Sequence, residues 1–148
     1  MSKLRNTNPA PVRKGKIRLD GHSLGLDDLR EIAEGRVLLS VASKAKKEVH
    51  KASQQVAKAA EGADPRYGIN TGFGRFCNIR ISREELRELQ VNLIRSHAAG
   101  VGEPCSPEEV RLAIALRANA LVSGNCGIRL AVLQLLLDPY NAAPLPTL

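Results

Sequence analysis

Tryptophan is missing from the 148 residues, and two tyrosines and two phenylalanines are the only aromatics. A core built here is therefore aliphatic, and the stacking platforms of single-strand nucleic-acid binders are absent. There are three cysteines, Cys77, Cys105 and Cys126, odd in number and far apart. No C-x-x-C and no Cys/His cluster at zinc spacing occurs. The sequence thus argues against a disulfide framework and a structural zinc, and fits a reducing cytoplasm. No apolar run approaches the ~20 residues that span a bilayer. The opening MSKLRNTNPAPVRKGK carries charge with no apolar stretch behind it, so it reads as no secretory signal. Acid is missing from residues 1–18, which hold Lys3, Arg5, Arg13, Lys14, Lys16 and Arg18. Nearly all of the formal net charge of +7 therefore sits in that stretch, and the remainder is almost balanced. We expect residues 1–16 to be a solvated, flexible basic tail, with no nucleic-acid partner and no membrane.

What is present fits one globular domain. The hydrophobic fraction is 43% and the charged fraction 25%, ordinary values for a folded chain. The fold expected is mainly α, with a short β element near residues 17–20 before the Asp20-Gly21 turn. A short helix is predicted from Leu26 to Ala33. Val41, Ala45, Val49, Ala52, Val56 and Ala59 recur at helical spacing, with Lys44, Lys47, Lys51 and Lys58 off that line, which predicts an amphipathic helix stopped by Gly62. Residues 63–81 read as a loop. Ser82 with Glu85, and Ser106-Pro107 with Glu109, are helix-start signals: a serine cap with glutamate three positions later. The first of these helices is expected to bury Leu86, Leu89, Leu93 and His97. Residues 110–122 and 128–137 are apolar on nearly every side, so other helices must enclose them. Residues 138–148 carry three prolines and read as irregular.

Two features could carry chemistry. The loop Arg66-Tyr67-Gly68-Ile69-Asn70-Thr71-Gly72-Phe73-Gly74 has three glycines in seven residues, which allow positive φ or close approach to a ligand. Its spacing is neither the dinucleotide fingerprint nor a P-loop; a glycine-rich turn with packed Tyr67 and Phe73 is the plainer alternative. His97 falls in the apolar stripe of its helix, where a hydrogen-bonded core histidine is the ordinary explanation. It also sits in the last turn, beside Ala98-Ala99-Gly100, where a polar tip can face a cavity. Glu84, Glu85, Glu108 and Glu109 are accounted for by helix starts. His22 and His50 have no evident catalytic partner.

These residues match a known pattern. Tyr67-Gly-Ile-Asn-Thr-Gly-Phe-Gly74 resembles the Y-G-[VI]-N-T-G-F-G loop of the aromatic amino acid ammonia-lyases. Residues 89–104, LQVNLIRSHAAGVGEP, resemble that family's next segment, most closely in its histidine ammonia-lyase branch. Arg117–Gly124 with Gly127-Ile128-Arg129, and Gly21-His22-Ser23-Leu24, are similar to further parts of the family's N-terminal region. The resemblance covers residues 17–137. It implies the helical N-terminal part of the aromatic amino acid lyase fold, a partial domain over residues 17–148, and elimination of ammonia from L-histidine to give urocanate. It implies Tyr67 as the catalytic base for the β-proton, and Gly74 and His97 as substrate-binding residues. The cofactor implied is a methylideneimidazolone formed from an internal Ala-Ser-Gly, and the assembly implied is a homotetramer whose subunits share each active site. No metal is implied.

The departures bear on activity. Ala-Ser-Gly occurs nowhere in the chain, and family members are more than three times longer. The sequence is therefore read as truncated before the cofactor-forming tripeptide and as inactive alone, with self-association or a full-length lyase as its partner. The alternatives are a non-catalytic or regulatory module of a full-length lyase, or a piece of a tyrosine or phenylalanine ammonia-lyase.

Overall fold

The computed structural model describes residues 13, 15–142, 145, 146 and 148. Strand β1 (Gly15–Leu19) leads through helix α1 (Leu26–Ala33) to β2 (Val37–Val41), and α2 (Ser43–Glu61) follows. A loop with one 3-10 turn (Gly74–Phe76) precedes α3 (Arg83–His97), α4 (Pro107–Leu121) and α5 (Leu130–Ala142). The strands pair in parallel, from Gly15 opposite Val37 to Leu19 opposite Val41. Parallel pairing requires a crossover, and α1 supplies it.

The β element expected near residues 17–20 is β1, and its partner β2 was not anticipated. Val41 stands first in the helical stripe of the sequence, yet it ends β2, and α2 begins at Ser43. The spacing from Val41 to Ala45 continues the helical period by coincidence. The run VLLSV shows no alternation of residue type, although its burial alternates: Val37 and Leu39 are buried while Leu38 between them is exposed.

The core is aliphatic, as the composition requires. Leu19, Leu39, Ile32, Val49, Ile114, Leu133 and Leu137 are buried together, drawn from both strands and four helices. Ala115 and Ala118 are fully buried, and their small side chains let α4 lie close to its neighbours. The polar residues on α4 have structural tasks. The Arg111 guanidinium donates to Ala33 O at 2.7 Å, closing the end of α1, and Asn119 Oδ1 accepts from Gly21 N at 3.0 Å. Helix α2 rests on the segment after α4. Gly127 there has φ +64°, and a Cβ at this position would lie 3.1 Å from Val56 Cβ and collide with Val56 Cγ2.

Helix α5 runs to Ala142, through Pro139, so the irregular segment expected from residue 138 starts at least five residues later. Proline removes one ladder bond, but tertiary contacts hold the last turn. Tyr140, 2% exposed, donates its hydroxyl to Val37 O at 3.0 Å. Asn141 accepts from Leu39 N and donates to Leu39 O, both at 2.9 Å. Its amide thus pairs with the outer edge of β2 as a neighbouring strand would. Most of the basic tail expected over residues 1–16 lies outside the described residues. Arg13 lies inside, with its guanidinium donating to Tyr140 O at 2.7 Å and sitting 5.5 Å from the centre of that ring.

The turn after β1 is held by a carboxylate. Asp20 Oδ1 accepts from His22 N at 2.9 Å and Ser23 N at 2.8 Å. The Ser23 and His22 amides hold its pKa down, from 3.8 to about 2. A depressed folded-state pKa gives stability that is present above the unfolded value and lost as pH falls through the folded one. Urea unfolding at a series of pH values should therefore show stability falling between pH 4 and pH 2, and less steeply in Asp20→Asn. That amide keeps the acceptor but cannot take up the proton. Equal slopes would deny Asp20 this part.

Candidate active site

The loop after α2 is irregular because it is built around two buried polar side chains. Asn70 and Thr71 are each 1% exposed. Asn70 Oδ1 accepts from Arg66 N at 2.6 Å, while its amide donates to Asp64 O at 3.0 Å, Gly62 O at 3.3 Å and Ala59 O at 3.5 Å. One side chain thus gathers the end of α2 and the entry to the loop. Thr71 Oγ1 accepts from Gly68 N at 3.3 Å. Thr71 also forms an isolated antiparallel bridge with Arg80, flanked by Gly72 N to Ile79 O at 3.3 Å and Ile81 N to Asn70 O at 3.0 Å. The loop is closed on itself, with residues 72–79 as its outward arc.

Tyr67 stands on the outside of this frame, 65% exposed. Its ring meets Phe73 edge-on, centroids 5.9 Å apart and planes at 82°. The tyrosine–phenylalanine packing read from the loop is thus present, and it leaves the phenol open to solvent. Gly74 has φ +57°, and a Cβ there would meet nothing within 4 Å. Its glycine is required by the left-handed backbone at the start of the 3-10 turn; within this chain no neighbour crowds it.

His97 ends α3 and is exposed, which corrects its expected burial. The wheel does place it with Leu86 and Leu93, but those leucines are only half-buried, and Ile94 is 69% exposed. No described side chain of α3 belongs to the buried core, because no described helix or strand lies over it as α1 and α5 lie over α4. The serine cap of α3 is as expected: Ser82 Oγ accepts from Glu85 N at 3.3 Å, and Ser82 N donates to Glu85 Oε2 at 3.3 Å. The Ser82 hydroxyl, which donates to Glu85 Oε2 at 2.7 Å, and then the Ser82 amide hold the Glu85 pKa below its usual value. Tyr67 and Gly74 therefore share one loop, while the side-chain hydrogen bonds of His97 stay on its own helix.

Two open clefts flank the loop. One, of about 670 Å³, lies between the end of α2 and the start of α3, over Ala60, Glu61, Arg80 and Leu86. The other, of about 350 Å³, lies between α2 and the segment after α4, with Arg66 at its rim. Neither is lined by Tyr67, Gly74 or His97. Among the described residues no cluster of His, Cys, Asp and Glu is placed to hold a metal, and no helix is long and apolar enough to cross a membrane. The three cysteines are unpaired.

Asn70 was visible in the sequence only as one letter of a motif. The tie it forms goes to backbone groups, which leave no signature of residue type. Asn70→Ala is expected to cost about 2 kcal/mol, since it strands a buried N–H and several carbonyls. Asn70→Asp should be no better, because a carboxylate cannot donate to those carbonyls. Limited proteolysis should show both variants cut faster within residues 63–81 with helix content kept. Wild-type cutting rates would remove Asn70 from this role.

This architecture is found at the start of solved ammonia-lyases and aminomutases. The solved histidine ammonia-lyase of Trypanosoma cruzi superposes with a TM-score of 0.82 at 38% identity, over 90% of this chain and 26% of that one. The tyrosine aminomutase of Streptomyces globisporus superposes with a TM-score of 0.79 at 31% identity, over 86% of this chain and 24% of that one. The sequence model of the aromatic amino acid lyases matches residues 24–148, and the chain belongs to that family. Mouse histidine ammonia-lyase is 42% identical over 127 residues, 86% of this chain and 19% of the relative. The chain therefore spans about a fifth to a quarter of the length of the relatives it matches. The family uses a methylideneimidazolone-type electrophile. The Ala-Ser-Gly that the resemblance names as its source does not occur in these 148 residues.

Proposed function

We propose that this chain supplies the N-terminal part of a histidine ammonia-lyase site: the proton-accepting phenol of Tyr67 and two substrate-binding positions, Gly74 and His97. The observation that carries the reading is the exposed Tyr67 on a loop fixed by buried Asn70 and Thr71. A base must be accessible to substrate and held in place before substrate arrives, and this loop meets both conditions. Histidine is favoured over tyrosine because identity is higher to the histidine-specific relatives, 38% to 42%, than to the aminomutase, 31%. The electrophile and the remaining substrate contacts come from a segment carrying Ala-Ser-Gly outside these 148 residues, in a cytoplasmic, self-associating assembly.

Catalysis depends on stabilising a transition state, and an accepting phenol without an electrophile does not make ammonia a leaving group. The purified chain should give no urocanate from L-histidine. Co-expression with the complementary segment of a histidine ammonia-lyase should restore turnover. Turnover by the chain alone, free of any longer lyase, would overturn the need for a partner. A complemented assembly active on tyrosine and inert to histidine would overturn the substrate.

A further inference from the structure

At the end of α3, two oxygens face the same ring nitrogen of His97. Leu93 O lies 2.8 Å from Nδ1, and Ser96 Oγ lies 3.0 Å from it. A carbonyl oxygen only accepts, so the 2.8 Å contact requires a proton on Nδ1. The serine hydroxyl has one proton, and it goes to Leu93 O at 3.0 Å. The Ser96 oxygen is then left with lone pairs toward His97, a second acceptor for the same Nδ1–H. Both neighbours belong to the helix that carries His97, so the arrangement is set by local sequence. Exposure of the ring leaves its other nitrogen, Nε2, directed to solvent.

We infer that Leu93 and Ser96 lock the neutral imidazole of His97 in the Nδ1–H tautomer, so that it presents Nε2 as a hydrogen-bond acceptor. Which nitrogen carries the proton is set by the bond the other makes, and here that bond is intrahelical. The group recognised at Nε2 must bring its own proton: an azole N–H or a phenol O–H, and neither a bare ring nitrogen nor a carbonyl. This fixes the polarity of recognition at one position of the proposed site, and so rests on that reading for its use. The tautomer itself does not. Ser96 is a positioning residue that acts through His97.

Nitrogen-15 NMR of the whole chain separates the two tautomers directly, since a protonated and a bare imidazole nitrogen have well-separated shifts. Loss of a signal in His97→Gln identifies His97 among the three histidines. With the ring neutral, His97 is expected as one species protonated at Nδ1, and Ser96→Ala should introduce a growing share of the Nε2–H form. A wild-type ring protonated at Nε2, or averaged between the forms, overturns the lock; an unchanged spectrum in Ser96→Ala overturns the part given to Ser96. None of these outcomes depends on turnover. Failure of the complemented assembly to act on histidine would count against the proposed function and leave the tautomer standing.

Discussion

Tyr140→Ala is expected to remove a large part of the stability of this chain, at a cost of about 4 kcal/mol. Truncating a fully buried aromatic in a packed core costs roughly 3–5 kcal/mol, and marginally stable domains have about 5–15 to lose. Tyr140 is more than an apolar filler. Its hydroxyl reaches Val37 O at 3.0 Å, and its ring carries the Arg13 guanidinium at 5.5 Å. Tyr140→Phe keeps the ring and the cation contact, and should cost only about 1–2 kcal/mol for the unpaired carbonyl. Urea unfolding of the two variants separates the contributions. Equal losses would place the whole effect in the hydroxyl. Burial also raises the pKa of this phenol, against a smaller opposing effect of Arg13 and Arg111. A raised folded value gives stability present below the unfolded tyrosine pKa of about 10 and lost as pH rises past it. The phenylalanine variant should lack that alkaline loss.

Tyr67→Phe is expected to act on turnover and leave the fold intact. In the complemented assembly, kcat should fall by about 10²–10⁴-fold, the usual range for removing a positioned acid or base. KM should move little, because the ring and its edge-on contact with Phe73 at 5.9 Å remain. Tyr67 is 65% exposed, so its unfolding midpoint should match the wild type. A variant with full turnover would take the β-proton role away from Tyr67. Tyr67→Ala gives a useful contrast, since it also loses the aromatic pair, worth about 0.5–1.5 kcal/mol.

The sequence showed clearly those features whose cause is local. The caps at Ser82 and Ser106 need only a hydroxyl and a carboxylate three residues apart, and both form as read. Helix α4 was legible from its cap and a run interrupted by few polar residues. By contrast, β2 pairs with a strand on the far side of α1, and its short run, apolar but for Ser40, has no period to betray it. The last turn of α5 runs against the local signal of Pro139 and is held by contacts to Val37 and Leu39. At the site, Tyr67, Gly74 and His97 emerged from a family pattern and not from composition. The wheel placed His97 correctly among its neighbours, but no wheel shows that α3 is left uncovered. The buried tie of Asn70 escaped notice because its partners are main-chain atoms.

The contacts that Asn141 and Tyr140 make with β2 also set an order of events during synthesis. The pairs Asn141–Leu39 and Tyr140–Val37 are separated by 102 and 103 positions along the chain. At about 5–20 residues per second, β2 leaves the ribosome roughly 5–20 seconds before the helix that covers its edge. During that interval Val37 and Leu39 lack their α5 partners, and the strand pair is open to pairing with other nascent chains. Slowing elongation across codons 42–140 should lengthen that window and raise aggregation, with no change in the finished protein.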